Sequence, residues 1–89
     1  MYRIVFTDEA LKDLRKLISN KQAMIKLEKL LEEIKEHPRF GTGQIEHLMY
    51  YVEETWSRRI DKKNRIVYAV DDEIIVVTII SITGHYKDK

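Results

Sequence analysis

The chain has no cysteine, so neither a disulfide framework nor a thiolate metal site is open to it. That fits a reducing compartment. One proline and three glycines in 89 residues leave little punctuation, and the chain reads as one domain, residues 1–89, without linkers, repeats or low-complexity segments. No apolar run approaches the length of a membrane span. The opening stretch Met1 to Phe6 runs straight into charge and carries no signal-peptide pattern, so the cytoplasm is the expected location. Net charge is also nearly missing. Sixteen basic residues against 15 acidic give +1, so the whole-chain charge does not announce nucleic-acid binding. What is present, 44% apolar and 35% charged residues, suits a globular domain rather than a disordered one.

The distribution of charge says more than its sum. Seven of the 15 acids fall on the expected helices of the first half, whereas Arg58, Arg59, Lys62, Lys63 and Arg65 form a basic stretch that can meet phosphates. Residues 2–6 alternate as a strand. Thr7 or Asp8 caps a helix with acids in its first turn and Leu11, Leu14, Leu17 and Ile18 on one face. Ser19-Asn20 recaps a second helix striped by Met24, Leu27, Leu30, Leu31 and Ile34. That helix must end before Pro38, whose ring disfavours helical geometry at His37. Residues 38–47 hold the proline and two glycines and read as the one real loop. Strands follow near 56–60, at 65–70 and at 74–80, the last two joined by the acidic turn Asp71-Asp72-Glu73. The order β-α-α-β-β-β predicts an α+β domain, an antiparallel sheet with two helices packed on one face.

The hairpin from 56 to 70 fixes what the other face carries. Burying Trp56 and Ile60 together with Ile66, Tyr68 and Val70 requires 60 to pair with 64 or 66, never 65. The connection then has an odd length, such as 61–63, with Asn64 able to take a left-handed bulge position. The same parity puts Arg59 and Arg65 on the helix-free face, opposite each other if 59 pairs with 65. Like charges so placed destabilise a sheet unless an anion sits between them. Val67 and Ala69 on that face are small enough to leave a groove. Arg58 points to the helix side and is expected at the edge, snorkelling or paired with an acid.

Glu46, Arg59, Arg65 and His85 thus gather the groups needed to cleave a phosphodiester through a neighbouring 2′-hydroxyl. A base takes the hydroxyl proton, cations stabilise the charge on the phosphorane-like transition state, and an acid protonates the leaving oxygen. That chemistry needs no metal, and the chain offers no metal-ligand cluster and implies no cofactor.

The stretches Trp56-Ser57-Arg58-Arg59-Ile60 and Arg65-Ile66-Val67-Tyr68-Ala69-Val70, the acidic turn and the closing His85-Tyr86 resemble the YoeB/Txe toxins of the RelE superfamily. The preceding Pro38-Arg39-Phe40-Gly41-Thr42-Gly43-Gln44-Ile45-Glu46-His47-Leu48 resembles that family's loop with its catalytic glutamate. The resemblance implies a RelE-like fold and a ribosome-dependent mRNA endonuclease, the toxin half of a toxin–antitoxin pair. It implies Glu46 as general base, Arg65 as transition-state stabiliser, His85 as general acid and Tyr86 as the group that positions or stacks substrate. Arg59 matches a second phosphate-contacting arginine, and Lys62 and Lys63 extend the RNA-binding surface. The implied partners are a YefM/Phd-type antitoxin, the ribosome and mRNA, with homodimerisation left open and no membrane.

The chain departs from the family in a last strand that reads about two residues longer than in the family's shorter members, with a Lys87-Asp88-Lys89 tail after the tyrosine, and at two positions. Met49 stands where the family often has lysine, and Thr55 where it usually has glycine before the aromatic. Met49 supports a rival reading, a RelE-like module that binds antitoxin or ribosome without cleaving. The bland alternatives are a solvated Glu46, a surface pairing of Arg59 and Arg65 with Asp71, Asp72 or Glu73, an exposed His85, and core roles for Trp56 and Tyr68. His47, beside Glu46, is a lesser candidate for substrate contact.

Overall fold

The computed structural model describes residues 1–83, with the order β1 (Arg3–Phe6), α1 (Asp8–Leu17), α2 (Lys21–Glu36), β2 (Glu46–Leu48), β3 (Thr55–Arg59), β4 (Arg65–Asp71) and β5 (Val76–Thr83). Thr7 caps α1, its hydroxyl accepting from the Ala10 N–H. The Asn20 side chain caps α2 in the same way, accepting from Ala23. Helix α2 stops at Glu36, two residues before Pro38, as the sequence predicts.

The α+β class and the packing of both helices on one sheet face hold. Ala10 and Leu17 from α1 and Ala23, Leu27, Leu30 and Ile34 from α2 join Ile66, Tyr68, Val70, Val77, Ile79 and Ile82 in a single core. Three details differ from expectation. The sheet has five strands in the order β1-β5-β4-β3-β2, because the end of the expected loop, Glu46–Leu48, pairs with Thr55–Ser57. The sheet is mixed, since β1 runs parallel to β5 while the other pairs are antiparallel. Parallel neighbours need a long crossover rather than a hairpin, and here both helices, the loop and the three other strands lie between β1 and β5. The last strand also begins at Val76 rather than 74, because Ile75 takes a left-handed conformation (φ 55°) and lengthens the turn.

In β5, Val67 faces Ser81 while Tyr68 faces Ile79, which leaves Ile80 as an extra, bulged residue. The bulge keeps Ile79 and Ile82, three apart, on the same buried face. It is held from the neighbouring element, because the Thr7 hydroxyl donates to the Ile80 carbonyl at 2.8 Å. Beyond the end of β1, the Asp13 carboxylate accepts from the Ile82 N–H at 2.9 Å, so α1 takes over cover of the strand edge.

Arg58 is the main departure from the sequence reading. It does point to the helix side and does meet an acid, but it is completely buried rather than at an edge. Its five N–H groups all find acceptors. Nε donates to the Tyr68 hydroxyl at 2.9 Å. One terminal nitrogen donates to Glu33 Oε1 at 2.8 Å and to the Thr42 carbonyl at 3.3 Å. The other donates to the His37 and Phe40 carbonyls at 2.6 and 3.0 Å. The Tyr68 hydroxyl in turn donates to the Pro38 carbonyl at 2.6 Å. The loop between α2 and β2 therefore satisfies its polar backbone on one guanidinium instead of on secondary structure. A second arginine ties the periphery. Arg39 binds Glu54 with two nitrogens, at 2.6 and 2.9 Å, and Asp72 at 2.9 Å, while Tyr2 donates to Asp72 and Trp56 to Glu54.

Two expectations follow. Arg58→Met leaves the Tyr68 hydroxyl and three loop carbonyls without their donor, so unfolding free energy falls by about 3 kcal/mol or more in urea titrations; a loss under about 1 kcal/mol would mean that the loop hangs on something else. Hydrogen bonds from Thr42 hold the Glu33 carboxyl below its ordinary value near 4.5 against the opposing effect of burial. Bonds from Arg39 and Trp56 do the same for Glu54. Lowered folded-state values stabilise the protein fully above pH 4.5 and lose that effect as pH falls through them. Stability measured from pH 6 down to pH 3 should therefore decline, and Arg39→Ala should flatten that decline.

Candidate active site

The register of β3 and β4 is the one the buried side chains demand. Trp56 faces Tyr68, Arg58 faces Ile66, and Arg59 faces Arg65. Three rows cross the helix-free face. Glu46, Ser57, Val67 and Ser81 form one, Leu48, Thr55, Ala69 and Thr78 a second, and Arg59 and Arg65 the third. Glu46, Arg59 and Arg65 thus occupy adjacent rows at one end of one face.

The turn that closes this end, Asp61 to Asn64, does not use a left-handed asparagine; the non-glycine residues with positive φ among the described residues are Gln44 and Ile75. The Asp61 carboxylate folds the turn, accepting from the backbone N–H of Lys63 and Asn64 at 2.9 and 2.7 Å. Burial pushes that carboxyl up, but these bonds outweigh it and hold it below the usual aspartate range. Lys62 and Lys63 stand exposed on this turn, beside the arginine pair.

Arg65 reaches back across β3. Its Nε and a terminal nitrogen both donate to the Ser57 hydroxyl, at 3.1 and 3.0 Å. That nitrogen also donates to the Gln44 carbonyl at 3.0 Å and lies 3.8 Å from Glu46 Oε1. Gln44 adopts a left-handed conformation (φ 48°), a strain of about 1–2 kcal/mol for a residue with a Cβ. Its two sides are gripped: the Gly43 carbonyl accepts from the Arg59 N–H at 2.5 Å and its own carbonyl from Arg65. Gly43 itself must stay glycine, because at φ 98° a Cβ would sit 3.1 Å from the Arg58 Cβ and 3.2 Å from Leu30.

The helix-free face is less open than the sequence suggests. Val67 is buried rather than flooring a groove, and Thr55 and Ser57 are fully so. The Arg65 side chain lying over Ser57 accounts for part of that cover. The surface pairing of Arg59 or Arg65 with the acidic turn does not form. Asp72 is engaged by Arg39, and Asp71 caps its own turn through the Glu73 N–H, at the far end of β4 from Arg65. His47 leaves the group because it alternates to the helix side, stacked on Trp56 with ring centroids 4.4 Å apart. Trp56 and Tyr68 pack with the core. His85 and Tyr86 lie outside the described residues; Thr83, opposite Arg65, is the last residue described. Among the described residues, no group of three or more His, Asp or Glu side chains could hold a metal ion, and no helix is long and apolar enough to cross a membrane.

Sequence reasoning missed Ser57 and the Gln44 carbonyl as the anchors of Arg65. Parity had already placed Ser57 on the same face, two residues from Arg59, and could have found it. The Gln44 contact depends on a loop path with no periodic signal.

The model of the YoeB-like toxins of bacterial type II toxin–antitoxin systems matches residues 6–86. The chain belongs to this family. A YoeB toxin of Mycobacterium bovis is 37% identical over 71 residues, covering 79% of this chain and 80% of that protein. The YoeB dimer from Staphylococcus aureus superposes with a TM-score of 0.82 at 32% identity, over 96% of this chain and 98% of its own. The YoeB–YefM complex from the same organism gives 0.80 at 32% identity, over 97% and 99%. The Trp56-Ser57-Arg58-Arg59 stretch lies on β3. Where the family usually has glycine before the tryptophan, Thr55 is buried and donates its hydroxyl to the Glu53 carbonyl at 2.9 Å, so the larger side chain is accommodated.

Facing arginines carry a cost that an anion would remove. Arg59→Gln should stabilise the ligand-free protein by a few tenths of a kcal/mol at low salt. The gain should vanish in 1 M salt, where screening acts within about 3 Å. Equal stability of both proteins at low salt would mean that Glu46 already neutralises the pair.

Proposed function

We propose that this chain is a ribosome-dependent mRNA endonuclease that inhibits translation, held in check by a YefM/Phd-type antitoxin whose acidic tail covers the arginine end of the face. Family membership supports the toxin role. The observation that carries the chemistry is the meeting of Glu46 with two facing arginines at one end of a face free of helices.

In this reading Glu46 takes the proton from a ribose 2′-hydroxyl, and the oxygen attacks the adjacent phosphorus. Arg65 and Arg59 stabilise the extra negative charge that develops on the phosphoryl oxygens. His85 gives a proton to the departing 5′-oxygen, leaving a 2′,3′-cyclic phosphate and a 5′-hydroxyl end. Tyr86 positions or stacks a base near the scissile bond, and Lys62 and Lys63 meet flanking phosphates. In the free protein the 3.8 Å contact between Glu46 and Arg65 keeps base and cation together until a phosphate enters.

Expression without a partner should arrest growth, and primer extension should map cuts in ribosome-bound message. Glu46→Gln, Arg65→Ala and His85→Gln should each slow single-turnover cleavage by about 10²–10⁴-fold. Arg59→Ala should instead lower the salt slope of binding by about one. Stable wild-type protein that leaves message intact overturns the proposal. Ribosome association without cleavage would favour the binding-module reading, for which Met49, exposed beside β2, is the supporting observation.

A further inference from the structure

We infer that Arg58, together with Tyr68 and Glu33, is a positioning device that sets the catalytic geometry from the opposite side of the sheet. The inference rests on the endonuclease reading, with Glu46 and Arg65 as the acting groups.

Six carbonyls mark the path from the end of α2 to β2, and all are taken by three arginines and one tyrosine. On the helix side the Arg58 guanidinium takes those of His37, Phe40 and Thr42, and Tyr68 takes that of Pro38. At the sheet edge the backbone N–H of the next residue, Arg59, takes that of Gly43. On the helix-free side Arg65 takes that of Gln44. Glu33 completes the helix-side grip, accepting from the Thr42 N–H and hydroxyl, both at 2.9 Å. The loop is therefore held against β3 and β4 at these six points, and it emerges at Glu46 directly opposite Ser57. Ser57 and the Gln44 carbonyl also orient the Arg65 guanidinium. Base and cation thus share one support, and a shift of the loop moves both.

Among the described residues the Arg58 guanidinium bonds to helix-side and loop groups, so it acts on the chemistry through this loop. Loosening it should lower the rate of the chemical step while leaving the cationic surface that meets RNA unchanged. Misplacement by about 1 Å costs on the order of 10²-fold in such arrangements.

The test uses the full chain on programmed ribosomes, in single-turnover cleavage at saturation, with ribosome affinity measured separately. Tyr68→Phe keeps the ring in the core and removes the hydroxyl that accepts from Arg58 and donates to Pro38. Thr42→Val removes an exposed hydroxyl that donates to Glu33. Both are measured at a temperature where circular dichroism shows them folded. Tyr68→Phe should cut the rate about 10-fold or more and Thr42→Val less, each with ribosome affinity within about twofold of wild type. In a Glu46→Gln background, Tyr68→Phe should cost less than it does alone, because part of its effect runs through the Glu46 carboxylate and only the part through Arg65 remains. Full rates in both variants, or equal cost with and without the Glu46 carboxylate, overturn the inference. A wild-type protein that does not cleave overturns the endonuclease reading instead. Should Tyr68→Phe fail to fold, Thr42→Val alone decides, by the same split between rate and affinity.

Discussion

A guanidinium cannot be buried unless its charge and all five of its N–H groups are answered. In this small domain that condition organises everything between α2 and β3. Arg58 is fully inside, and the groups that answer it are one carboxylate at the surface, one phenol in the core and three carbonyls of a loop that forms no regular structure of its own. The partial exposure of Glu33 matters here: a carboxylate that keeps some water is less costly to pair than one buried outright. Lysine in this place would supply a point charge without the planar fork that three separate carbonyls require. Glycine at 43 follows from the same demand, since the backbone must lie directly on the arginine stem.

Much of this was legible in the chain. The helix caps at Thr7 and Asn20, the stop before Pro38 and the facing of Arg59 with Arg65 all come from local chemistry or from parity, and parity is unforgiving because a one-residue slip turns every side chain over. Other features were hidden for physical reasons. Glu46–Leu48 is too short for alternation to separate it from loop, and it becomes a strand only by pairing with β3. The bulge at Ile80 conceals the register of β5, because Ile79 and Ile82 break the period of two that strands normally show. The burial of Arg58 could not be read from its type. Charged residues are almost always exposed, and only the loop's unsatisfied carbonyls explain why this one is not.

The two faces of the sheet divide the work by the same alternation. Along β3, Trp56 and Arg58 build the interior, while Ser57 and Arg59 stand on the side proposed for RNA. Neighbouring arginines in one motif therefore have opposite duties, one satisfied by carbonyls and one placed to meet phosphate. That division explains how a chain with a net charge of only +1 can concentrate cations. Acids such as Asp71 and Asp72 are spent on turns and on Arg39 at the other end of β4.

The parallel pairing of β1 with β5 has a consequence for how the molecule comes into being. Residues 3–6 are made well before their sheet partners, residues 76–79. The first strand to be made is thus among the last to find its place, and its apolar side chains Ile4 and Phe6 must wait for nearly the whole described chain. Contacts of such wide sequence separation slow folding and leave the early segment unprotected meanwhile. A protein proposed to act on ribosomes therefore completes its sheet only once residues 76–79 have been made.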